Sequence, residues 1–264
     1  MSVLDIAMRV ADACTALVPR PMPSRAALER CRIISHRGEH DNRTVMENTL
    51  EAFRSARDAG VWGIECDIRF TRDLVPVICH DPTPERVFGP DTPVAQLDFA
   101  ALRSALPQIP SLREVVQEFG GSTHLMLEIK AETWPDPPRQ RDQLARELAH
   151  LEAARDYHLL ALDPATFDVF DFAPKHSHLP VAELNVARMS AYALENGCAG
   201  LGGHYLLLGK RLQRRHDAAG QQLGIGFPAS ANALRRELNR SIQWVFSNDA
   251  VKLQGILDGY LTQR

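Results

Sequence analysis

Apolar residues recur along this chain in two alternating rhythms. Short unbroken apolar runs, bounded by turn residues, alternate with longer stretches in which apolar positions return every three or four residues. The first pattern predicts strands buried on both faces, and the second predicts amphipathic helices. Strands are expected at residues 33–36, 63–70, 75–80, 124–130, 157–162, 179–184, 199–202, 223–227 and 242–246. Helices are expected at 47–59, 98–106, 112–119, 141–151, 186–195, 210–219, 231–238 and 250–261. A separate short helix is expected over 4–18, ahead of Pro19, Pro21 and Pro23. Repeated strand–helix units imply a parallel sheet. Eight of these strands in 264 residues imply closure into an α/β TIM barrel, (β/α)8, whose typical length is ~250 residues. A doubly wound open sheet is the alternative, weakened because no Gly-x-Gly-x-x-Gly or P-loop follows the first strand. The chain divides into 1–31, an N-terminal helix and proline-rich connection, and 32–264, a single barrel domain with a small insertion after its second strand.

Two of these strands carry acids where the apolar pattern leaves little room for them. Gly63-Ile64-Glu65-Cys66-Asp67-Ile68-Arg69 sets Glu65 and Asp67 two apart, and Leu125-Met126-Leu127-Glu128-Ile129-Lys130 sets Glu128 and Lys130 two apart. Strand side chains alternate faces, so each pair shares one face. Carboxylates on buried strands repel one another and are costly to desolvate unless something positive holds them. Half-exposed strands with ion pairs to Arg69 and Lys130 would account for one such strand. Two of them, with histidines at the ends of neighbouring strands, fit better with a divalent cation on Glu65, Asp67 and Glu128.

The remaining chemistry gathers at the same ends. His36, His80 and Lys130 fall at or near carboxyl ends of strands, where a barrel assembles its site from several strands. Two histidines suit proton transfer in both directions near neutral pH. Arg37 and Lys130 supply charge for an anionic substrate. Carboxylates, a cation, two histidines and two basic groups together describe phosphate-ester hydrolysis.

The runs His36-Arg37-Gly38, Glu47-Asn48-Thr49, Glu65-Cys66-Asp67, Val75-Pro76-Val77 leading to His80-Asp81, and Leu127-Glu128-Ile129-Lys130 resemble, in residues, order and spacing, the glycerophosphodiester phosphodiesterase family. Arg86, Gly89 and Ile109-Pro110-Ser111-Leu112-Arg113-Glu114 resemble that family's insertion, and the likeness is strongest from Ile33 to Lys130. The resemblance implies a TIM barrel that cleaves glycerophosphodiesters to glycerol 3-phosphate and an alcohol with bound Mg2+ or Ca2+. It implies metal ligands at Glu65, Asp67 and Glu128, catalytic histidines at His36 and His80, and phosphate-binding cations at Arg37 and Lys130. It departs from the family at Met46, where relatives have proline, and in the later strands. Gly226 stands at or near a pocket tryptophan of relatives, and Phe227 replaces it only if the register slips by one. Gln243 and Trp244 stand where relatives have Asp and Gly. The specificity pocket is therefore expected to differ. A lysophospholipid- or sphingolipid-cleaving phospholipase D and a catalytically weak phosphodiester-binding barrel are the competing functions.

Bulk properties narrow the partners. The formal charge of -3 shows no basic excess for nucleic acid or an anionic membrane. Five cysteines, two of them inside expected strands, argue against a disulfide framework. The N-terminal residues lack a basic region before an apolar one, and no apolar run reaches the ~18 residues of a membrane span, so a cytoplasmic location is expected. The basic residues Arg211, Arg214, Arg215, Arg235 and Arg236 are expected on solvated helix faces, and His176 and His178 in a solvated loop. His204 is a candidate substrate contact, Trp134 a candidate cover for the substrate alcohol, Asn48 a candidate to order the loop, and Asp81 a candidate to orient His80.

Overall fold

The computed structural model describes residues 15–262. Most of the helix expected over 4–18 lies outside the described residues; its end, residues 15–17, is helical. From there the chain builds eight parallel strands: β1 (Arg32–His36), β2 (Gly63–Phe70), β4 (His124–Ile129), β5 (Tyr157–Ala161), β6 (His178–Ala182), β7 (Gly200–His204), β8 (Gln222–Gly226) and β9 (Trp244–Ser247). Each pairs with its neighbour in sequence order, and β1 pairs with both β2 and β9, closing the barrel.

The expected strand over 75–80 contracts to β3 (Pro76–Ile78) and lies outside the barrel, antiparallel to β2 with Ile68 opposite Ile78. The short Thr71-Arg72-Asp73 turn explains this, because a parallel return needs a crossover of about a dozen residues. β3 opens the insertion, which continues through α3 (Glu85–Phe88) and α4 (Phe99–Ala105) to α5 (Leu112–Phe119). Ser111 and Glu114 form a reciprocal capping box at the start of α5.

The other helices are α1 (Arg25–Arg30), α2 (Leu50–Asp58), α6 (Pro137–Glu147), α7 (Ala165–Val169), α8 (Val186–Glu195), α9 (Lys210–Ala218), α10 (Ala231–Leu238) and α11 (Ala250–Thr262). α2 begins later than expected because Thr49 is its cap, accepting from the Ala52 amide at 3.2 Å; Glu47 and Asn48 stay in the preceding turn. α6 begins earlier than expected because Pro137 occupies the first helical turn, where its missing N–H costs nothing, behind an Asp136 cap. The apolar faces of strands and helices meet in a layer containing Ile33, Phe53, Ile64, Cys66, Phe119 and Leu127, all fully buried. Cys66 thus points toward the helices, away from its acidic neighbours, as its alternation with them requires.

A second, inner core fills the barrel with Ile34, Met126, Leu160, Leu179 and Phe246. Below it the amino-terminal end is closed by His124 and His158, whose rings bond at 2.8 Å between Nε2 and Nδ1. Trp62 stacks on His124 at 4.2 Å and Trp244 meets His158 edge-on at 4.9 Å. Burial pushes His124 down to about 4 and His158 to about 3, so both are neutral structural groups. His178 is not a solvated loop residue: it opens β6, is buried, and stacks on Phe167 at 4.4 Å. His176 is exposed as expected. Arg211, Arg214 and Arg215 are exposed, whereas Arg235 and Arg236 are half-buried, Arg235 over the Tyr260 ring and Arg236 against the buried Glu237. Cys31, Cys66, Cys79 and Cys198 are buried and free. No helix among the described residues is long and apolar enough to cross a membrane.

Candidate active site at the carboxyl ends of the strands

β2 and β4 run side by side with Asp67 opposite Glu128, so the spacing of two along each strand becomes one acidic patch inside the barrel mouth. Glu65, Asp67 and Glu128 each present an oxygen within 4.8 Å of the others. Glu65 and Asp67 are buried, and one oxygen of Glu65, Oε1, has no hydrogen-bond partner. A buried, unpartnered carboxylate oxygen inside an acidic cluster is the arrangement that a hard cation with oxygen ligands satisfies.

Basic groups hold part of this charge. Lys130 Nζ lies 2.7 Å from Asp67 Oδ1 and also bonds Glu128. Arg37 Nε lies 3.3 Å from Asp67 Oδ2, and its other arm reaches Glu47 Oε1 at 3.0 Å. The acids respond in opposite directions. Burial alone would raise Asp67, yet Lys130 and Arg37 outweigh it and hold that carboxyl well below the usual range. Glu65 is pushed well above its usual value, first by burial and then by the charges of Asp67 and Glu128. Glu128 is raised for the same reasons, burial first.

The backbone after β1 is folded tightly to place these groups. Arg37 and Asn48 both sit in left-handed conformations, at φ 60° and 57°, tied by an Asn48 N–H to Arg37 carbonyl bond of 2.9 Å. Gly38 follows with φ 80°, and a side chain there would meet Ala52 of α2 at 2.7 Å, so the third position of His-Arg-Gly admits only glycine. The folded turn directs the Asn48 amide to donate to Asp67 Oδ2 at 2.8 Å. Asn48 therefore orders the site as well as preceding the helix.

The histidines flank the acids. His36 Nε2 is 3.7 Å from Glu65 Oε2, and its Nδ1 pairs with Asn248 Oδ1 at 2.7 Å. Burial, reinforced by Arg37, pushes His36 down to about 3. His80 is less enclosed, with burial lowering it, and its Nδ1 pairs with Asp81 Oδ1 at 2.8 Å. Arg86 from α3 fixes Asp81 at 2.6 Å and Glu47 at 2.5 Å, linking the insertion to the turn after β1. Arg69 is turned away from the acids and clamps the His80 carbonyl, at 2.8 and 3.0 Å, against Glu132 at 2.6 Å. All seven residues singled out in the sequence thus converge on one mouth.

Other expectations resolve differently. Trp134 packs edge-on to Phe170 at 5.4 Å and does not line the mouth. His204 does line it, with its Nδ1 accepting from the Leu206 amide at 3.3 Å. Phe227 takes the aromatic position beside the site: β8 stops at Gly226, and Phe227 adopts φ 84° so that its ring meets His36 edge-on at 4.9 Å. Two contributors were not foreseen in their roles, although Arg86 was named as part of the insertion. Asn248 follows β9 and carries no pattern beyond its place at a strand end, and Arg86 works through Asp81 and Glu47 rather than from a strand.

Comparisons with known proteins agree with this fold. A family model, the glycerophosphoryl diester phosphodiesterase family, matches residues 36–199. Rat glycerophosphodiester phosphodiesterase 1 is 39% identical over 118 residues, covering 37% of this chain and 35% of that protein. A glycerophosphodiester phosphodiesterase of Caldanaerobacter subterraneus is 32% identical over 111 residues, covering 38% of this chain and 45% of that protein. The matches thus span less than half the length of either relative. Among solved structures, a glycerophosphodiester phosphodiesterase of Thermotoga maritima superposes with a TM-score of 0.72 at 19% identity, covering 86% of this chain and 98% of that one. An Oleispira antarctica phosphodiesterase in complex with the product sn-glycerol-3-phosphate gives 0.73 at 22% identity, covering 88% and 99%. At such identities these likenesses establish a shared TIM-barrel fold. Because the family model covers more than half of the chain and spans all seven residues singled out in the sequence, the chain belongs to the glycerophosphoryl diester phosphodiesterase family.

Proposed function

We propose that this chain hydrolyses glycerophosphodiesters to glycerol 3-phosphate and an alcohol, using one divalent cation, Mg2+ or Ca2+, held by Glu65, Asp67 and Glu128. The observation that carries this is the cluster of three acids around an unpartnered Glu65 oxygen, flanked by two histidines and two cations at one barrel mouth. When bound, the cation neutralises the phosphoryl oxygens and makes phosphorus a better electrophile. Arg37 and Lys130 orient the phosphate, Arg37 by its fork of donors and Lys130 as a point charge.

The histidines divide the proton transfers. A proton on His36 Nδ1, donated to the neutral Asn248 oxygen, leaves the Nε2 lone pair facing the site, which suits a base. It would take the proton of the attacking hydroxyl, from water or from the substrate's glycerol 2-hydroxyl. Burial lowers His80, but the Asp81 carboxylate behind it opposes that shift and would stabilise an imidazolium there, a partner that suits an acid for the departing alcohol. Free buried cysteines are in keeping with a reducing cytoplasmic setting.

Release of glycerol 3-phosphate from glycerophosphocholine and glycerophosphoethanolamine tests the assignment directly. Activity lost in EDTA and restored by Mg2+ or Ca2+ is the expected result, and it names the ion. Unchanged turnover in EDTA would overturn the metal's role, and absence of turnover with either ion would overturn the activity. Asn48→Ala is expected to weaken the cation's apparent affinity by about 10–100-fold, the usual effect of losing a group that orients a ligand. A cation titration of activity reads this, and an unchanged midpoint would leave Asn48 a purely structural turn residue.

A further inference from the structure

The site opens into a single cavity of about 600 Å3 whose two halves differ in chemistry. His36, Arg37, Glu65, His80, Glu128 and Lys130 line one half. The other half is hydrocarbon, built from β5 to β9 by side chains such as Leu160, Leu179, Val181, Phe227 and Phe246, with His204 and the exposed rim residue Glu183 as its polar members. A barrel interior is ordinarily filled by layers of bulky branched side chains. Here Gly202, Gly224 and Gly226 stand along the wall; Val181 and Phe246 pack closely over the first two, whereas the space beside Gly226 stays open. A methyl group added at Gly226 meets nothing closer than 3.6 Å.

The rim continues the apolar character outward. Leu184, Leu206 and Leu207 are 73%, 41% and 39% exposed and border this mouth. The other exposed large apolar residues described, Leu17, Val18 and Met22, precede the barrel. A small polar alcohol or bare glycerol would find almost no partners on this half, and burying its hydroxyls there would cost free energy. A hydrocarbon chain would bury apolar surface instead. The volume is that of a pocket for one modest ligand, which admits a single chain beside the phosphate rather than two. The family match ends at residue 199, so β7, β8 and the loops that hollow this half lie beyond it.

We propose that the substrate of this site is a phosphodiester bearing one hydrocarbon chain, a lysophospholipid, with its phosphate among the charged groups and its chain along the leucine-lined half. The inference rests on the phosphodiesterase function proposed above. The net step adds one water: its oxygen bonds to phosphorus, the P–O bond to the head-group alcohol breaks, and that alcohol leaves with a proton. The products are an acylglycerol phosphate and the free head-group alcohol.

Choline release from glycerophosphocholine and from monomeric lysophosphatidylcholines of hexanoyl to dodecanoyl length, with the activating cation present, tests this. The expected result is kcat/KM rising by about fourfold per methylene over the first several carbons, as each enters the cavity. A flat or falling series, with glycerophosphocholine still cleaved, overturns the chain inference and leaves the phosphodiesterase function standing. If no substrate is cleaved, that function fails by itself, and calorimetry with dodecylphosphocholine then decides the chain site. Saturable binding with a negative heat-capacity change supports it, and no binding overturns it. In an active enzyme, G226V, which fills the wall, and L184E, which charges the rim, should each reduce the slope of log(kcat/KM) against chain length. The wild-type slope in both variants would overturn the proposal.

Discussion

His36→Ala and His80→Ala are each expected to lower kcat by about 10²–10⁴-fold, the usual worth of a positioned acid or base. The two losses should separate when the leaving group changes. With a p-nitrophenyl phosphodiester the departing oxygen needs no proton, so the His80→Ala deficit should shrink while the His36→Ala deficit persists. The different partners of the two rings set this expectation: a neutral amide oxygen behind His36 and a carboxylate behind His80. Reversal of the pattern would exchange the two roles. Activity within a few-fold of wild type in either variant would remove that histidine from the chemistry.

How legible all this was depended on whether a residue's role followed from its own strand. Glu65, Asp67 and Glu128 were visible because an acid inside an apolar run conflicts with burial, and a spacing of two fixes a shared face. The closed barrel was visible because double-sided apolar runs alternate with helical periods. Relations between distant segments were not visible. Asn248 matters because β9 lies against β1, and Arg86 because the insertion folds back over the turn at Glu47. The apolar half of the cavity was hidden more deeply. Leu160 and Leu179 read as core leucines whether glycine or a large side chain stands across from them, and only the assembled wall shows which. His178 was misplaced for a related reason, since a residue just ahead of an apolar run is buried or exposed according to what packs on it, here Phe167. The helix expected from residue 141 begins at Pro137 because proline, which stops helices, also starts them. Phe227 reaches the site by a positive φ that a strand pattern does not foresee.

In metal-free protein, Asp67→Asn and Glu65→Gln are expected to change stability in opposite directions, although the two positions are two residues apart. Asp67 is fully buried and is the shared partner of Lys130, Arg37 and Asn48. Neutralising it leaves two cations poorly matched in a buried place, which typically costs about 3–5 kcal/mol. For a domain of this size that is a fall in Tm of roughly 6–20 °C. Glu65 instead bears an oxygen without a partner and is charged against its surroundings, as its raised pKa reflects. Replacing it by the neutral isostere relieves that cost, so Tm in EDTA should match or exceed that of the wild type. Both variants should then lose what the wild type gains from its cation. At about 100 times Kd, binding to the folded state alone is worth about 2.7 kcal/mol, or roughly 5–11 °C. Thermal melts of the three proteins in EDTA and in excess Mg2+ or Ca2+ separate the contributions. A fall for Glu65→Gln in EDTA as large as that for Asp67→Asn would mean that Glu65 is held by the protein's own groups. The acids would then be a structural network, with no strained carboxylate waiting for a cation.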